Sequence, residues 1–218
     1  QDAPLGPPKG PGRAGFLILS DLHLGKAERM ARRSGALLPP YESRDTLLRA
    51  KAEIAALLPR HVVCLGDSFD DLGAAANLAE SDAALLQGLQ QRAHWTWIEG
   101  NHDPGTAGHG GDTRAEMVIG PLTFRHIAAA GAHGEISGHF HPKKRLIGRG
   151  RTVSRPCFLV DSQRVILPAF GTYTGGLLCS DPALSTLLDQ DALAILTGPT
   201  PVSLPAFEGK QRLKAAKG

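Results

Sequence analysis

Three short apolar runs set the frame of this chain: Phe16–Leu19, Val62–Leu65 and Trp95–Ile98. Each has the length of a buried strand, and between them lie two segments with helical spacing. Ser43 to Leu58 puts Leu47, Leu48, Ile54, Ala55 and Leu58 on one face and is stopped by Pro59. Ser81 to Arg92 turns Leu85, Leu86 and Leu89 inward. A strand–helix–strand–helix–strand order favours parallel pairing, because each helix carries the chain back to the same end of the sheet. Beyond residue 115 the pattern changes to strands with few helices: Met117–Ile119, Leu122–Arg125, Glu135–Ser137, Pro156–Val160 and Arg164–Leu167. Asp181-Pro182 has the form of an N-cap followed by proline at the first helical position, opening a short helix. The class is therefore α/β, with a parallel first half and a β-rich second half.

With 42% hydrophobic and 21% charged residues, the 218-residue chain can bury a core and is not generally disordered. The length favours one large domain. We expect a flexible Pro/Gly-rich leader over 1–15, a body over 16–198 and a flexible basic tail over 199–218. No apolar run approaches the roughly 18 residues of a membrane span. The leader also lacks the charged-then-apolar layout of a signal peptide. Cys64, Cys157 and Cys179 are odd in number and widely spaced, which fits the reducing cytoplasm and inert, buried thiols better than a disulfide framework. A net charge of +3 permits an anionic substrate. Histidine is the unusual count: there are nine, three times the cysteines.

Their positions explain the number. Phe16–Leu19 is followed by Ser20-Asp21-Leu22-His23, Val62–Leu65 by Gly66-Asp67, and Trp95–Ile98 by Glu99-Gly100-Asn101-His102-Asp103. Leu122–Arg125 is followed by His126, and Glu135–Ser137 by Gly138-His139-Phe140-His141. Ligands of α/β sheets bind in the crevice outside the strands' carboxyl ends. In D-x-H and H-x-H the two donors are two residues apart, so in extended chain both face one side. Gly66, Gly100 and Gly138 stand where the chain leaves a strand tightly or approaches an ion closely. Carboxylate, carboxamide and imidazole without thiolate suit Mn²⁺, Fe or Zn²⁺, and the set is too nitrogen-rich for calcium. Seven such side chains are too many for one ion and right for two that share a carboxylate. Such a pair serves in-line displacement at phosphorus, by water acidified toward hydroxide.

D-x-H, G-D, G-N-H-D, an isolated His and G-H-x-H, in this order from Asp21 to His141, resemble the calcineurin-like binuclear metallophosphoesterases. The resemblance implies a four-layer αββα sandwich, two facing mixed β-sheets flanked by helices, with the site at one edge. It implies one metal on Asp21, His23 and His141, another on Asn101, His126 and His139, and Asp67 bridging. His102 would protonate the leaving oxygen or stabilise the transition state, with Asp103 orienting its ring. Leu38-Pro-Pro-Tyr41 with Thr46-Leu47, Gly66-Asp-Ser-Phe69, Arg155-Pro-Cys-Phe158, Leu167-Pro-Ala-Phe-Gly171 and Thr174-Gly-Gly-Leu177 are similar to the bacterial DNA ligase-associated metallophosphoesterases. That subgroup implies a Mn²⁺-dependent phosphodiesterase or DNA endonuclease of DNA repair, with DNA as substrate and a functional link to DNA ligase and helicase proteins. The chain departs from it at Asp70, where histidine is expected and a substrate contact would lie.

The alternatives are a small-molecule or 2′,3′-cyclic nucleotide phosphodiesterase and a non-catalytic interaction module of the same fold. A phosphoprotein phosphatase is disfavoured, since this chain reads G-D-S-F-D-D and G-N-H-D where such enzymes carry Asp-Arg-Gly and G-N-H-E. His126 ends a strand and is preferred to His133 as a ligand. His61 and His94 read as edge residues, and His109 as a solvated loop residue. Trp95 and Trp97 read as core. Two basic segments flank the motifs: Lys26, Arg29, Arg32 and Arg33, interrupted by Glu28, and the acid-free set Lys143, Lys144, Arg145, Arg149, Arg151 and Arg155. The first is a path for a phosphate backbone or a solvated face, and the second such a path or a solvated hairpin face.

Overall fold

The computed structural model describes residues 15–105, 109–148 and 150–207. The leader up to residue 14, Arg149 and the last eleven residues of the expected tail lie outside them. The first half is β1 (Phe16–Leu19), α1 (Lys26–Ser34), α2 (Glu42–Leu57), β2 (His61–Leu65), α3 (Leu72–Ala76), α4 (Glu80–Gln90) and β3 (His94–Ile98). The second half is β4 (Asp112–Arg114), β5 (Glu116–Ile119), β6 (Leu122–Arg125), β7 (Glu135–Ser137), β8 (Lys143–Gly148), β9 (Arg151–Val160) and β10 (Arg164–Ile166). It closes with α5 (Pro182–Ser185), β11 (Leu193–Leu196) and β12 (Val202–Pro205). Strands β1-β2-β3-β4 form a parallel sheet. The other sheet is mixed, in the order β12-β11-β9-β10-β7-β6-β5, with β8 attached to β9.

The two-residue period of the strands sorts their side chains into layers. Leu17, Leu19, Val62, Cys64, Trp95 and Trp97 face one way and pack with Leu47, Ala50, Ile54, Leu86 and Leu89 of α2 and α4. The alternate residues Phe16, Ile18, Val63, Leu65 and Ile98 meet Met117, Phe124, Phe158 and Val165 of the mixed sheet. The outer face of that sheet, with Cys157, Leu159, Ile166 and Ala194, is covered by Leu184, Leu188 and Cys179. This is the αββα sandwich, except that one sheet is wholly parallel and the fourth layer is thin. Among the described residues its helix is the four-residue α5, opened as expected by Asp181, whose side chain accepts from the Ala183 N–H.

Several local expectations need correction. The buried face of α2 is Ser43, Thr46, Leu47, Ala50 and Ile54, while Leu48 and Ala55 are exposed. Leu58 is the left-handed C-cap rather than a helix-face residue. Strand β12 and the buried Ala206 occupy part of the expected tail, because Val202–Pro205 pairs with β11. His61 is buried inside the sheet, not at its edge: β2 lies between β1 and β3, and Nε2 meets Thr96 Oγ1 at 2.8 Å. His109 is stacked on Phe69 and bonded to the Ala75 carbonyl, so it is packed rather than solvated. No helix among the described residues is long and apolar enough to cross a membrane.

Candidate metal centre

Strands β1, β2 and β3 are parallel, as are β6 and β7, so their carboxyl ends supply neighbouring loops. The loops after β1 and β2 run as a short ladder: His23 N–H donates to the Asp67 carbonyl, Leu24 N–H to Ser68, and Asp70 N–H to Leu24. The expected extended geometry of D-x-H and H-x-H is not what brings the donors together. Asp21, His23, Asp67, His139 and His141 have φ of 52°, 47°, 45°, 70° and 47°, all left-handed. Asp and His are among the non-glycine residues that tolerate this region best. The close approach assigned to glycine is real but is made to protein atoms. A Cβ at Gly138 would strike Ser20 Oγ and Asp21, and one at Gly100 would strike Asp67.

Two groups of donors stand side by side, and a third, His23, Asp70 and His102, shares His23 with the first. Asp21, His23 and His141 offer ligand atoms within 4.8 Å of one another, and Asp67, His126 and His139 do the same. In the first, His141 Nε2 lies 3.2 Å from Asp21 Oδ1. His23 donates its Nδ1–H to Asp70 Oδ1 at 2.8 Å, and its buried Nε2 has no hydrogen-bond partner. In the second, His126 donates its Nδ1–H to the Leu65 carbonyl at 2.8 Å, which leaves a lone pair on Nε2. Around that nitrogen stand Asn101 Oδ1 at 2.9 Å, His139 Nδ1 at 3.1 Å and Asp67 Oδ2 at 3.4 Å. Burial pulls the His126 pKa down, but the bonded, charged Asp67 outweighs it and leaves it raised. Burial opposes ionisation of Asp67, yet His126 and the His102 N–H hold its carboxyl at about 2. Electron-pair donors converge on each point, from the buried Asp21, His23, Asp67 and His126 and the partly buried His139 and His141, and both His23 and His126 are fixed through their other ring nitrogen. That is the arrangement of a metal ligand with its supporting partner.

A family model described as calcineurin-like phosphoesterase matches residues 15–181. The chain belongs to the calcineurin-like phosphoesterases. It is a metal-dependent hydrolase of phosphate esters. Comparison with curated protein sequences gives no match. Among solved structures, the chain is similar to the Pseudomonas putida nuclease MPE at 26% identity and a TM-score of 0.64, over 83% of this chain and 84% of that one.

In this phosphoesterase His102 stands at the rim of the second group. Its backbone N–H donates to Asp67 Oδ1 at 2.9 Å, and its Nε2 lies 3.9 Å from Asp67 Oδ2. The ring is oriented by Nδ1–H donating to the Asp70 carbonyl at 2.9 Å. Asp103 therefore does not have the expected role. Its buried carboxylate accepts from the backbone N–H groups of Ser68, Phe69 and Gly100 and pins the two loops together. Burial pushes its pKa up to about 6, and the nearby Asp67 adds to that.

Asp70 is the departure from the subgroup pattern, and its side chain is turned into the protein. It is fully buried, bonds His23 with its side chain, orients His102 with its carbonyl, and pairs with Lys26 at 3.5 Å and Arg29 at 2.9 Å. Burial works against its charge, but His23 and the two cations hold its pKa at about 2. The sequence signal for this role is a further carboxylate three residues after Asp67. Lys26, Arg29, Arg32 and Arg33 are all paired with Asp70 or Asp71, so the first basic segment is an intramolecular ion-pair network. Of the rival histidines, His126 enters the centre, whereas His133 is exposed and bonded to Gln163.

Proposed function

We propose that this phosphoesterase is a binuclear phosphodiesterase that cuts DNA endonucleolytically. The convergence of lone pairs on two adjoining points, with His23 Nε2 buried and unpartnered, carries the reading. Asp21, His23 and His141 would hold one divalent cation, and Asn101, His126 and His139 the other. Asp67 would be shared: it groups with His126 and His139, and its carbonyl is bonded to His23. Oxygen and nitrogen donors without thiolate suit Mn²⁺, with Fe or Zn²⁺ also accommodated. Two such ions, when bound, make water acidic and offset charge on phosphoryl oxygens. His102, partly exposed beside Asp67, is placed to give the leaving oxygen a proton from Nε2, since Nδ1 is committed to Asp70. Asp103 supports the loops that carry Asp67 and Asn101.

DNA as substrate is supported by the nuclease similarity over most of both chains. A setting in DNA repair, beside DNA ligase and helicase proteins, is supported by the subgroup motifs. The cytoplasm is supported by three free cysteines, with the Cys157 and Cys179 thiols hydrogen-bonded at 3.7 Å rather than joined as a disulfide. The test compares a circular single-stranded DNA, a 2′,3′-cyclic nucleotide and a phosphomonoester with Mn²⁺. Nicking of the circle is expected. Fast turnover of the cyclic nucleotide with an intact circle would overturn the endonuclease reading in favour of a small-molecule phosphodiesterase.

A further inference from the structure

The second basic segment differs from the first in its charge balance. Strands β8 and β9 pair antiparallel from Lys143↔Pro156 to Gly148↔Arg151. Among the described residues, 151–156 of β9 have no other strand partner, because β10 and β11 pair only with residues 157–160. The result is a two-stranded ribbon standing off the mixed sheet, about 17 Å from root to tip at roughly 3.4 Å per residue. Residues 151–155 are all exposed. The root is fixed: Pro142 accepts from Cys157 N–H and Lys143 N–H donates to Leu177, one and two residues after His141.

The ribbon carries Lys143, Lys144, Arg145, Arg151 and Arg155, and among the described residues none of them pairs with a carboxylate. Lys144 and Arg155 sit directly opposite each other, a like-charge pair that destabilises an antiparallel ladder. Both bond backbone carbonyls instead, Ala206 for Lys144 and Thr197 for Arg155. A ribbon that served only as a structural hairpin would be more stable with acids across from these cations. The uncompensated charge matches a polyanion.

We propose that the β8–β9 ribbon is a DNA-binding arm that grips the phosphodiester backbone beside the cleaved bond and leads the strand to the centre at His141. This rests on the nuclease reading above. With Leu146, Ile147 and Val153 as its apolar residues and no aromatic ring, the ribbon lacks a base-stacking platform, so its contribution is electrostatic. The exposed Arg145 and Arg151 are the positions to test.

The double variant Arg145→Gln/Arg151→Gln is compared with wild type on a short single-stranded oligonucleotide at several salt concentrations. A small chromogenic phosphodiester serves as the second substrate. Loss of two backbone contacts should raise KM for the oligonucleotide about tenfold and reduce the slope of log affinity against log salt by about 1.4. Turnover of the small diester should stay unchanged. The charge-keeping variant Arg145→Lys/Arg151→Lys should retain the wild-type slope. If the Gln variant keeps both KM and slope on an oligonucleotide that wild type cuts, the arm is refuted and the nuclease reading stands. If the Lys variant loses as much as the Gln variant, charge is not the cause and the arm is likewise refuted. If wild type hydrolyses the small diester but neither binds nor cuts the oligonucleotide, both readings fail.

Discussion

Asp70→Asn removes one charge and keeps the shape of the side chain that links α1 to the metal centre. The carboxamide could still accept the His23 Nδ1–H now bonded at 2.8 Å, but it would place an NH₂ group where Oδ2 receives Arg29 at 2.9 Å. Two effects follow from the geometry. The first is on His23: without the carboxylate its Nε2 is less basic and its ring less firmly held, and loss of such a supporting partner costs 10–100-fold in metal affinity. That is about 1.4–2.7 kcal/mol. The second is on stability: hydrogen bonds to charged groups contribute roughly 1.5–3 kcal/mol. Lys26 and Arg29 are about a quarter exposed and stay partly solvated, so the lower half of that range applies. The Asp70 pKa is near 2 in the fold against 3.8 when unfolded, so its stabilisation is complete above pH 4 and lost only as pH falls toward 2. At neutral pH the whole effect is present. Calorimetric titration with Mn²⁺ should show one binding step weakened by one to two orders of magnitude, while the step at Asn101, His126 and His139 keeps its affinity. Urea unfolding reports the stability term separately. Two unchanged binding steps alongside a lowered unfolding midpoint would refute the argument and reduce Asp70 to a fold-stabilising anion.

His102→Gln should lower kcat on the small diester by about 10²–10⁴-fold, with both Mn²⁺ affinities retained, since the ring bonds Asp70 and is not among the proposed ligands of either ion. Equal turnover in a steady-state assay would remove it from the reaction. For His61, burial first and the neighbouring His94 second hold the pKa at about 4 against 6.5 unfolded. The unfolded chain therefore takes up the proton first, and stability falls as pH drops from 6.5 to 4, by roughly 3 kcal/mol at most. Urea midpoints at neutral and mildly acid pH should converge in His61→Gln relative to wild type. A Cβ at position 138 meets Ser20 and Asp21, so Gly138→Ala should cost about 1–3 kcal/mol in thermal or urea unfolding and weaken Mn²⁺ binding with it. Unchanged metal affinity in that variant would mean the loop yields without moving Asp21.

The layers were legible because buried strands must alternate: Val62 and Cys64 go to one core and Val63 and Leu65 to the other. Of the β8–β9 ribbon only a hairpin alternative was legible, and not its strands, because a strand exposed on both sides needs no alternation, and Arg151–Arg155 shows none. Helix α1 was hidden for a related reason: its side chains are held by charge pairs, and only Ala27 is buried. The donor residues could be read from their place at strand ends, including His126, which has no motif of its own. Their supporting partners were harder. The resemblance implied that Asp103 orients His102, yet Asp103 accepts from backbone N–H groups and the Asp70 carbonyl takes the ring nitrogen. A backbone carbonyl such as that of Asp70 or Leu65 leaves no mark in the residue alphabet. Glu28 already sets the first basic segment apart from the acid-free second, but the pairing of the first with Asp70 and Asp71 shows only in space.

The left-handed backbone at Asp21, His23, Asp67, His139 and His141 bears on how the centre is made. Each such residue carries strain on the order of 1–3 kcal/mol and persists only where its surroundings over-determine it. Here they do. The Ser20 and Asp21 carbonyls accept from Phe170 and Gly171, the Asp67 carbonyl accepts from His23, and Gly138 N–H donates to the His126 carbonyl. Asp21 in turn accepts from the His139 N–H at 3.0 Å. These bonds run between loops of both sheets, so the frame of the sandwich holds the backbone from which the donors project. What the frame leaves unbalanced is electrostatic: Asn101 Oδ1, Asp67 Oδ2 and the ring nitrogens of His126 and His139 crowd one point, where a neutral His139 offers a single Nδ1–H to His126 Nε2. A divalent cation held by these side chains would offset their negative potential. Metal affinity is then expected to respond most to residues that fix the donors' lone pairs, such as Asp70, and least to the flexible cations that surround the site.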